Sequence, residues 1–97
     1  MVINFNKYLE EKLKDPEFRE AFENLNLRPE QEIMLAIIKT RLQNGIMQKD
    51  LVEKTGLSQA LVSKIEQGKG NPSVKTLQRI AEGMNMKLKI EFIPNDD

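Results

Sequence analysis

The first third of the chain carries two short helical patterns of apolar residues. Apolar side chains recur every three or four positions over residues 5–13 and again over residues 18–25, which is the spacing of one helix face. Asp15-Pro16-Glu17 separates the two patterns. Aspartate caps helices and proline suits the first helical position, so this tripeptide marks a restart. The sequence therefore predicts two amphipathic helices before residue 29.

The segment from about Pro29 to Asn44 has a wider apolar arc. Its residues 33–38 read Ile-Met-Leu-Ala-Ile-Ile, and Ile33 and Ile37 point roughly opposite to Leu35, Ile38 and Leu42 on a helix. An arc this wide predicts a helix that is buried on two sides. We expect one side to contact the N-terminal helices and the other to contact the helices that follow.

Three shorter helices and a strand are predicted after Gly45, which is a natural helix terminator. The helices run from Gln48 to Thr55, from Ser58 to Gln67 and from Ser73 to Met84. Residues 86–93 then alternate apolar and polar side chains through Phe92, which is typical of a strand.

The composition excludes several functional classes. The 97 residues include no cysteine and no histidine, which removes disulfides, thiol or histidine catalysis and the commonest zinc ligands. No apolar run approaches the roughly 20 residues that span a membrane, so we expect a cytoplasmic protein without membrane contact. We expect no enzyme activity, no cofactor, no metal and no small-molecule substrate.

The net charge is zero, but the charge is unevenly distributed. Residues 58–79 hold Lys64, Lys69, Lys75 and Arg79 against Glu66 alone. A local basic face is therefore possible in a neutral chain, and it would suit nucleic acid. The alternative is that these are ordinary solvated side chains.

Two predicted helices joined by a glycine-containing turn match the helix-turn-helix plan. The second helix of that motif enters the DNA major groove with its N-terminal residues, so it must begin cleanly, and Ser58 is a good N-cap. If Leu57, Leu61 and Ile65 hold this helix to the domain, four side chains face outward near its start and could contact bases or phosphate: Gln59, Ala60, Ser63 and Lys64.

Residues 33–84 resemble the Cro/repressor-like, or XRE-like, helix-turn-helix family. The matching residues are Arg41, Gln48–Leu51, Gly56–Ser58, Val62–Gly68, Asn71–Ser73, Leu77, Ile80 and Ala81. The resemblance implies a set of DNA-binding residues, namely Gln48, Ser58, Gln59, Ala60, Ser63, Lys64, Lys69, Asn71 and Lys75. It also implies a largely buried structural ion pair between Arg41 and Glu66. Met47 departs from the family pattern, because Ser, Thr or Asn often stands there and methionine cannot cap a helix.

The fold class that follows is mainly all-α, with two N-terminal helices, a five-helix XRE-like domain and a short C-terminal β-strand. The expected divisions are an N-terminal extension at 1–28, the DNA-binding domain at 29–85 and a strand and tail at 86–97.

The two ends of the chain resemble those of HigA-type antitoxins. Residues 9–18 read Leu-Glu-Glu-Lys-Leu-Lys-Asp-Pro-Glu-Phe, and the chain closes with Met-Lys-Leu-Lys-Ile-Glu-Phe-Ile-Pro at 86–94. The resemblance implies an antitoxin that binds a RelE/HigB-like mRNA-cleaving toxin and represses its own operon. The toxin-binding residues would be Phe5, Tyr8, Leu9, Glu11, Phe18, Arg19, Phe22 and Glu23. In the competing interpretation the apolar ones pack on the third helix, the charges are solvated, and the protein is a repressor without a toxin partner.

The predicted strand needs a partner, because a lone strand leaves its backbone hydrogen-bonding groups unpaired. It could pair with the same strand of a second copy or extend the sheet of a toxin. We favour a homodimer, because helix-turn-helix proteins usually bind two half-sites. Leu88, Ile90 and Phe92 would then face the helices at the dimer interface.

Overall fold

The fold consists of six α-helices in the part of the chain that the structure, a computed structural model, describes. That part is residues 5–95, with the side chains of residues 5–7 excluded. The helices are α1 (Phe5–Leu13), α2 (Pro16–Glu23), α3 (Pro29–Gln43), α4 (Gln48–Thr55), α5 (Gln59–Glu66) and α6 (Val74–Gly83). None of these helices is long and apolar enough to cross a bilayer.

Three of the helices begin at side-chain caps. The carboxylate of Asp15 accepts a hydrogen bond from the Glu17 backbone N–H at 3.0 Å. Ser58 Oγ accepts from the Leu61 N–H, and Ser73 Oγ accepts from the Thr76 N–H, each at 3.1 Å. Each cap satisfies a backbone donor that the first turn of a helix leaves without an intrahelical partner. The predicted starts of α2, α5 and α6 are thereby confirmed.

Helix α3 lies between two apolar clusters, as its wide apolar arc predicted. The first cluster joins α3 to α4, α5 and α6, and its buried members are Ile37, Leu51, Val62, Ile65, Ile80 and Met84. The second joins α3 to α1, and its buried members are Leu9, Leu13, Met34, Leu35 and Ile38. Ile33 packs against the first cluster and Leu42 against the second, on the sides that the sequence predicted. The N-terminal helices therefore share α3 with the helix-turn-helix.

Two expectations about the fold require correction. Four helices, not five, lie between Pro29 and Gly83, and they correspond to the four helical segments that the sequence pattern predicts between Pro29 and Met84. Residues 86–95 form neither helix nor strand in the described chain. A strand is defined by the ladder it makes with a neighbour, and one chain supplies none here. Pairing across two copies stays a prediction.

A buried ion pair joins α3 to the end of α5. Arg41 donates from Nε to Glu66 Oε2 at 2.8 Å and from Nη2 to Glu66 Oε1 at 2.6 Å, and both residues are at most 1% exposed. Arg41 Nη1 also donates to the Ile46 carbonyl oxygen at 3.0 Å. Burial by itself would lower the pKa of Arg41, but the hydrogen bonds and charge of Glu66, aided by Glu10, raise it above its usual value.

Replacing Glu66 with alanine should lower the free energy of unfolding by about 3 kcal/mol, because it leaves a buried guanidinium with less compensation. We expect the lower end of the range for broken buried pairs, since Glu10 still contacts Arg41. Urea unfolding followed by circular dichroism measures the change. The control is Glu91→Ala, which removes an exposed pair with Lys89 and should change stability by at most about 0.5 kcal/mol. Equal losses in the two variants would contradict a structural role for the buried pair.

Candidate nucleic-acid interface

The turn between α4 and α5 has the backbone geometry of a tight helix-turn-helix connection. Gly56 ends α4 in the left-handed region at φ 73°, a conformation that glycine adopts without steric cost. Its N–H donates to the Val52 carbonyl at 3.0 Å. The Leu57 N–H donates to Thr55 Oγ1 at 3.2 Å, and that hydroxyl donates to the Leu51 carbonyl at 2.7 Å. The turn is therefore fixed by hydrogen bonds on both sides of Gly56.

Helix α5 has one face in the core and its N-terminal turn in solvent. Val62 and Ile65 are at most 2% exposed and hold the helix against the first apolar cluster. The side chains predicted to face outward are exposed at Gln59, Ala60 and Lys64, while Ser63 is half-buried. The helix thus presents polar and small side chains at its start, as a groove-reading helix requires.

The side chain of Gln48 connects this surface to the buried ion pair. Gln48 Nε2 donates to Glu66 Oε1 at 3.3 Å. Gln48 Oε1 accepts from Gln59 Nε2 and, at 3.2 Å, from Ser63 Oγ. Donor and acceptor ends of the Gln48 amide are thereby each assigned a partner, which fixes the orientation of the amide. Three of the predicted DNA-binding residues form one hydrogen-bonded group that rests on Glu66.

Only one of the two hydrogen bonds of a capping box is present at the start of α4. Met47 stands at the N-cap and its side chain makes no capping bond, as expected for a thioether. The Met47 backbone N–H instead donates to Asp50 Oδ2 at 2.9 Å. Asp50 therefore supplies the half of a capping box that does not depend on the residue at the N-cap.

The loop between α5 and α6 carries the remaining predicted contacts. Lys69 and Asn71 are exposed in this loop, and Lys75 is exposed in the first turn of α6. Gly70 has φ +83°, and a side-chain carbon there would come within 3.4 Å of Lys64 Cε. Glycine thus lets the aliphatic part of Lys64 lie against the loop.

The residues predicted to bind a partner through the N-terminal extension divide into buried and exposed sets. Leu9 is 5% exposed in the second cluster, so its side chain belongs to the core and the expectation of a surface contact was wrong. Phe18 and Phe22 are half-buried and pack on the same cluster, with ring centroids 6.0 Å apart. Much of the apolar stripe of α1 and α2 therefore packs on α3, while Tyr8 and Leu25 stay exposed. The side chain of Phe5 lies outside the described residues.

The other predicted residues of the extension remain accessible. Tyr8 is 56% exposed, and Lys12 Nζ lies 5.7 Å from the centroid of its ring. Glu11 and Glu23 are exposed, with ion pairs to Lys14 at 3.0 Å and Lys39 at 2.6 Å respectively, and Arg19 is half-buried.

The C-terminal segment borders an apolar groove of about 540 Å³ between α3 and α6. Leu88 is half-buried and Ile90 is 61% exposed, and both line this groove. Phe92 is fully exposed in the single chain, and its expected place at a dimer interface stays a prediction. Among the described residues, Ile90 is the last one of the segment that lines the groove. The apolar side chains of Phe92 and Ile93 therefore lie beyond the groove and are exposed.

Sequence reasoning missed the position of Glu10. Its carboxylate accepts a hydrogen bond from Arg41 Nη2, so it joins α1 to the buried ion pair. Glu10 looked like one of several solvated charges opposite the apolar stripe of α1. The available signal was its place directly after Leu9, at the edge of the stripe that packs on α3.

Comparison with known proteins identifies the family. Residues 37–90 match a family described as helix-turn-helix. The chain is 31% identical over 87 residues to an uncharacterized HTH-type transcriptional regulator of Haemophilus influenzae, covering 90% of this chain and 83% of that protein. It is 37% identical over 57 residues to another from Methanocaldococcus jannaschii, covering 59% of this chain and 86% of that protein. No solved structure matches. The chain belongs to the XRE-type helix-turn-helix family of DNA-binding transcriptional regulators.

Proposed function

We propose that the protein represses its own operon by reading operator DNA with the N-terminal turn of α5. The observation that carries this proposal is the exposure of Gln59, Ala60 and Lys64 at the start of α5. Gln59 is also hydrogen-bonded to Gln48, which limits the positions its side chain can take. Gln59 Nε2 donates to Gln48 Oε1 and, at 3.3 Å, to Ser63 Oγ. On DNA the amide hydrogen that points to Ser63 would turn to a base edge, together with the amide oxygen of Gln59. Those two groups match the N7 and N6 positions of adenine in the major groove.

The residues around α5 suit the DNA backbone on either side of the base contacts. Gln48 opens α4, and Lys69, Asn71 and Lys75 lie exposed at the other end of α5 and the start of α6. Phosphate contacts position a protein on the duplex without reading sequence, whereas contacts to base edges supply the specificity. We assign the loop residues to the first role and Gln59 to the second.

Replacing Gln59 with alanine should weaken binding to the operator by about 1–3 kcal/mol with little effect on random DNA, because it removes a base contact. Replacing Lys69 with alanine should weaken both alike and reduce the salt dependence of binding. Fluorescence anisotropy with the DNA fragment upstream of the protein's own gene, at several salt concentrations, measures both effects. An operator affinity that is insensitive both to salt and to Gln59→Ala would rule out DNA reading by α5.

We further propose that the regulator is the antitoxin of a RelE/HigB-like toxin, which it binds through the extension at residues 1–28. Support comes from the HigA-type pattern at both ends of the chain and from the surface of α1 and α2. That surface exposes the carboxylates of Glu11, Glu17, Glu20 and Glu23. An mRNA-cleaving enzyme needs a basic surface for its substrate, and these carboxylates complement it. Tyr8 and Leu25 are exposed apolar side chains that could anchor the contact.

The double variant Glu11→Lys/Glu20→Lys should weaken binding to the toxin at least tenfold, because it puts like charges across the interface. Isothermal titration with the purified product of the neighbouring gene measures the affinity. Deleting residues 1–28 is a poor test, because it would uncover the α3 face of the second cluster.

The matched control is Glu53→Lys/Glu82→Lys, which makes the same charge change at exposed positions of α4 and α6. A loss of toxin affinity in the control alone would move the interface off the extension. A neighbouring gene that encodes no small basic RelE-like protein would favour the alternative, a repressor with no toxin partner.

We also propose that the operator-binding form is a homodimer, joined through residues 86–93. Support comes from the groove between α3 and α6 and from the exposed apolar side chains of Ile90, Phe92 and Ile93 beside it. Pairing two such segments would satisfy their backbone groups and bury these side chains.

The double variant Ile90→Glu/Phe92→Glu should be monomeric, because it places charges in the apolar interface. Its operator affinity should fall at least tenfold. A monomer binds only one half-site, so it loses the high effective concentration of a second, linked α5 at the other half-site. Sedimentation velocity and anisotropy measure the two effects. Lys87→Glu/Lys89→Glu is the control, with two charge changes at the alternating positions of the same segment. A variant that stays dimeric, or a wild-type chain that is monomeric, would contradict the proposal.

A further inference from the structure

The buried guanidinium of Arg41 has two carboxylate partners from opposite ends of the domain. Glu66 comes from the last turn of α5, and Glu10 comes from α1 in the N-terminal extension. The Glu10 side chain is 23% exposed, whereas the side chain of Glu66 is fully buried. A paired arginine does not need the second carboxylate to be neutralised. The contact from α1 therefore calls for an explanation beyond charge balance.

The hydrogen bonds of Arg41 lead directly to the DNA-reading surface. Its Nη2 group is shared between Glu10 and Glu66 Oε1, and that same Glu66 oxygen accepts from Gln48 Nε2. Gln48 in turn accepts from Gln59 and Ser63. An unbroken series of hydrogen bonds thus runs from α1 to the first turn of α5.

The two ends of this series also meet at the surface. A cleft of about 600 Å³ is lined by Glu10 and Glu11 of α1 and by Lys14 directly after it, and also by Gln48, Lys49 and Gln59. Arg41 also lines this cleft. The N-terminal extension therefore lies next to the start of α4 and the start of α5, with no linker between them.

We propose that Glu10 is a positioning residue for operator specificity, which makes the N-terminal extension part of the DNA-reading apparatus. Glu10 holds one end of the Arg41 guanidinium, the guanidinium holds Glu66 Oε1, and Glu66 orients the Gln48 amide that braces Gln59. Without Glu10 the guanidinium turns toward Glu66 alone and the shared oxygen is repositioned. Base reading requires side chains fixed to about 0.5 Å, so a small displacement at Gln48 costs discrimination between bases. The inference rests on the proposed reading of DNA by Gln59.

A partner that binds the N-terminal extension could influence the DNA site through the contact between Glu10 and Arg41. A basic surface bound over α1 competes with Arg41 for the Glu10 carboxylate, since both are cations seeking one acceptor. Binding at the extension then biases the position of Gln59 without touching α5, which is a coupling between two distinct sites.

The test compares Glu10→Ala with Glu11→Ala. Both variants remove one carboxylate from the lining of the same cleft. Only the first breaks a contact with Arg41, whereas the second breaks the exposed pair with Lys14. A change in repulsion of DNA phosphate affects both duplexes and therefore cancels in the ratio below. The measurement is the ratio of affinities for the upstream DNA fragment and for a scrambled duplex of the same length. We expect Glu10→Ala to lower that ratio about five- to tenfold and Glu11→Ala to leave it unchanged. Equal ratios in the two variants would overturn the proposal.

Two further variants separate positioning from a general loss of stability. Glu10→Gln keeps an oxygen that accepts from Arg41, so it should restore at least half of the lost ratio, on a logarithmic scale. If Glu10→Ala does not fold, Glu10→Gln carries the test alone and should show about a twofold loss. In a Gln48→Ala background the Glu10→Ala change should have no further effect on the ratio, because the connection is already broken. If Glu10→Ala lowered the affinity ratio as much in the Gln48→Ala background as in the wild type, Glu10 would not act through Gln48.

Failure of this inference and failure of the proposed function give different results. A wild-type chain that does not prefer its upstream fragment over scrambled DNA contradicts operator reading itself. A wild-type chain that prefers the fragment, together with a Glu10→Ala variant that prefers it equally, contradicts only the role of Glu10.

Discussion

The charge of Arg41 is the constraint on which the arrangement of the helices depends. A guanidinium that is 1% exposed has lost its hydration, and the cost of that loss is several kcal/mol unless anionic partners replace the water. The replacements come from three places: Glu66 at the end of α5, Glu10 in α1 and the Ile46 carbonyl before α4. Because each partner must reach the same planar group, the helices that carry them are held to one relative position. An apolar core alone specifies such positions less closely, since aliphatic contacts are not directional.

Helix α3 supplies the second constraint, because its buried apolar residues belong to two clusters on different sides of the helix. The helix-turn-helix packs on the side of Ile37, and the N-terminal extension packs on the side of Ile38. Arg41 lies one turn further along, where both sides converge. The extension is therefore integrated into the domain through a shared core helix and a shared charge. This explains why Leu9 is buried and Phe18 half-buried, while the carboxylates on the outer surface of α1 and α2 remain exposed.

Local chemistry was predictable from the sequence, and contacts between distant residues were predictable only where a motif records them. The caps at Asp15, Ser58 and Ser73 and the two-sided burial of α3 follow from residues close together in the chain. The pair Arg41–Glu66 spans 25 residues and was expected only through the family resemblance. Glu10 contacts Arg41 across 31 residues, and its place beside Leu9 at the edge of the apolar stripe does not identify Arg41 as its partner. The predicted strand at 86–93 would need a neighbouring strand, which the described part of one chain does not supply. Its alternating apolar and polar residues therefore do not by themselves make it a strand.

The two surfaces that this protein presents have opposite electrostatic requirements. DNA favours positive charge around α5, where Lys64 and Lys69 are exposed, whereas a basic protein favours the carboxylates of α1. Separate domains on a long linker would keep these fields more than a Debye length apart, about 8 Å at physiological salt. In this fold Glu10 and Gln48 line one cleft, so a charge bound at the extension, as proposed above, would lie within the field of the DNA-binding surface. The formal net charge of zero therefore does not describe the charge around either surface, and the proposed role of Glu10 in DNA binding depends on their closeness.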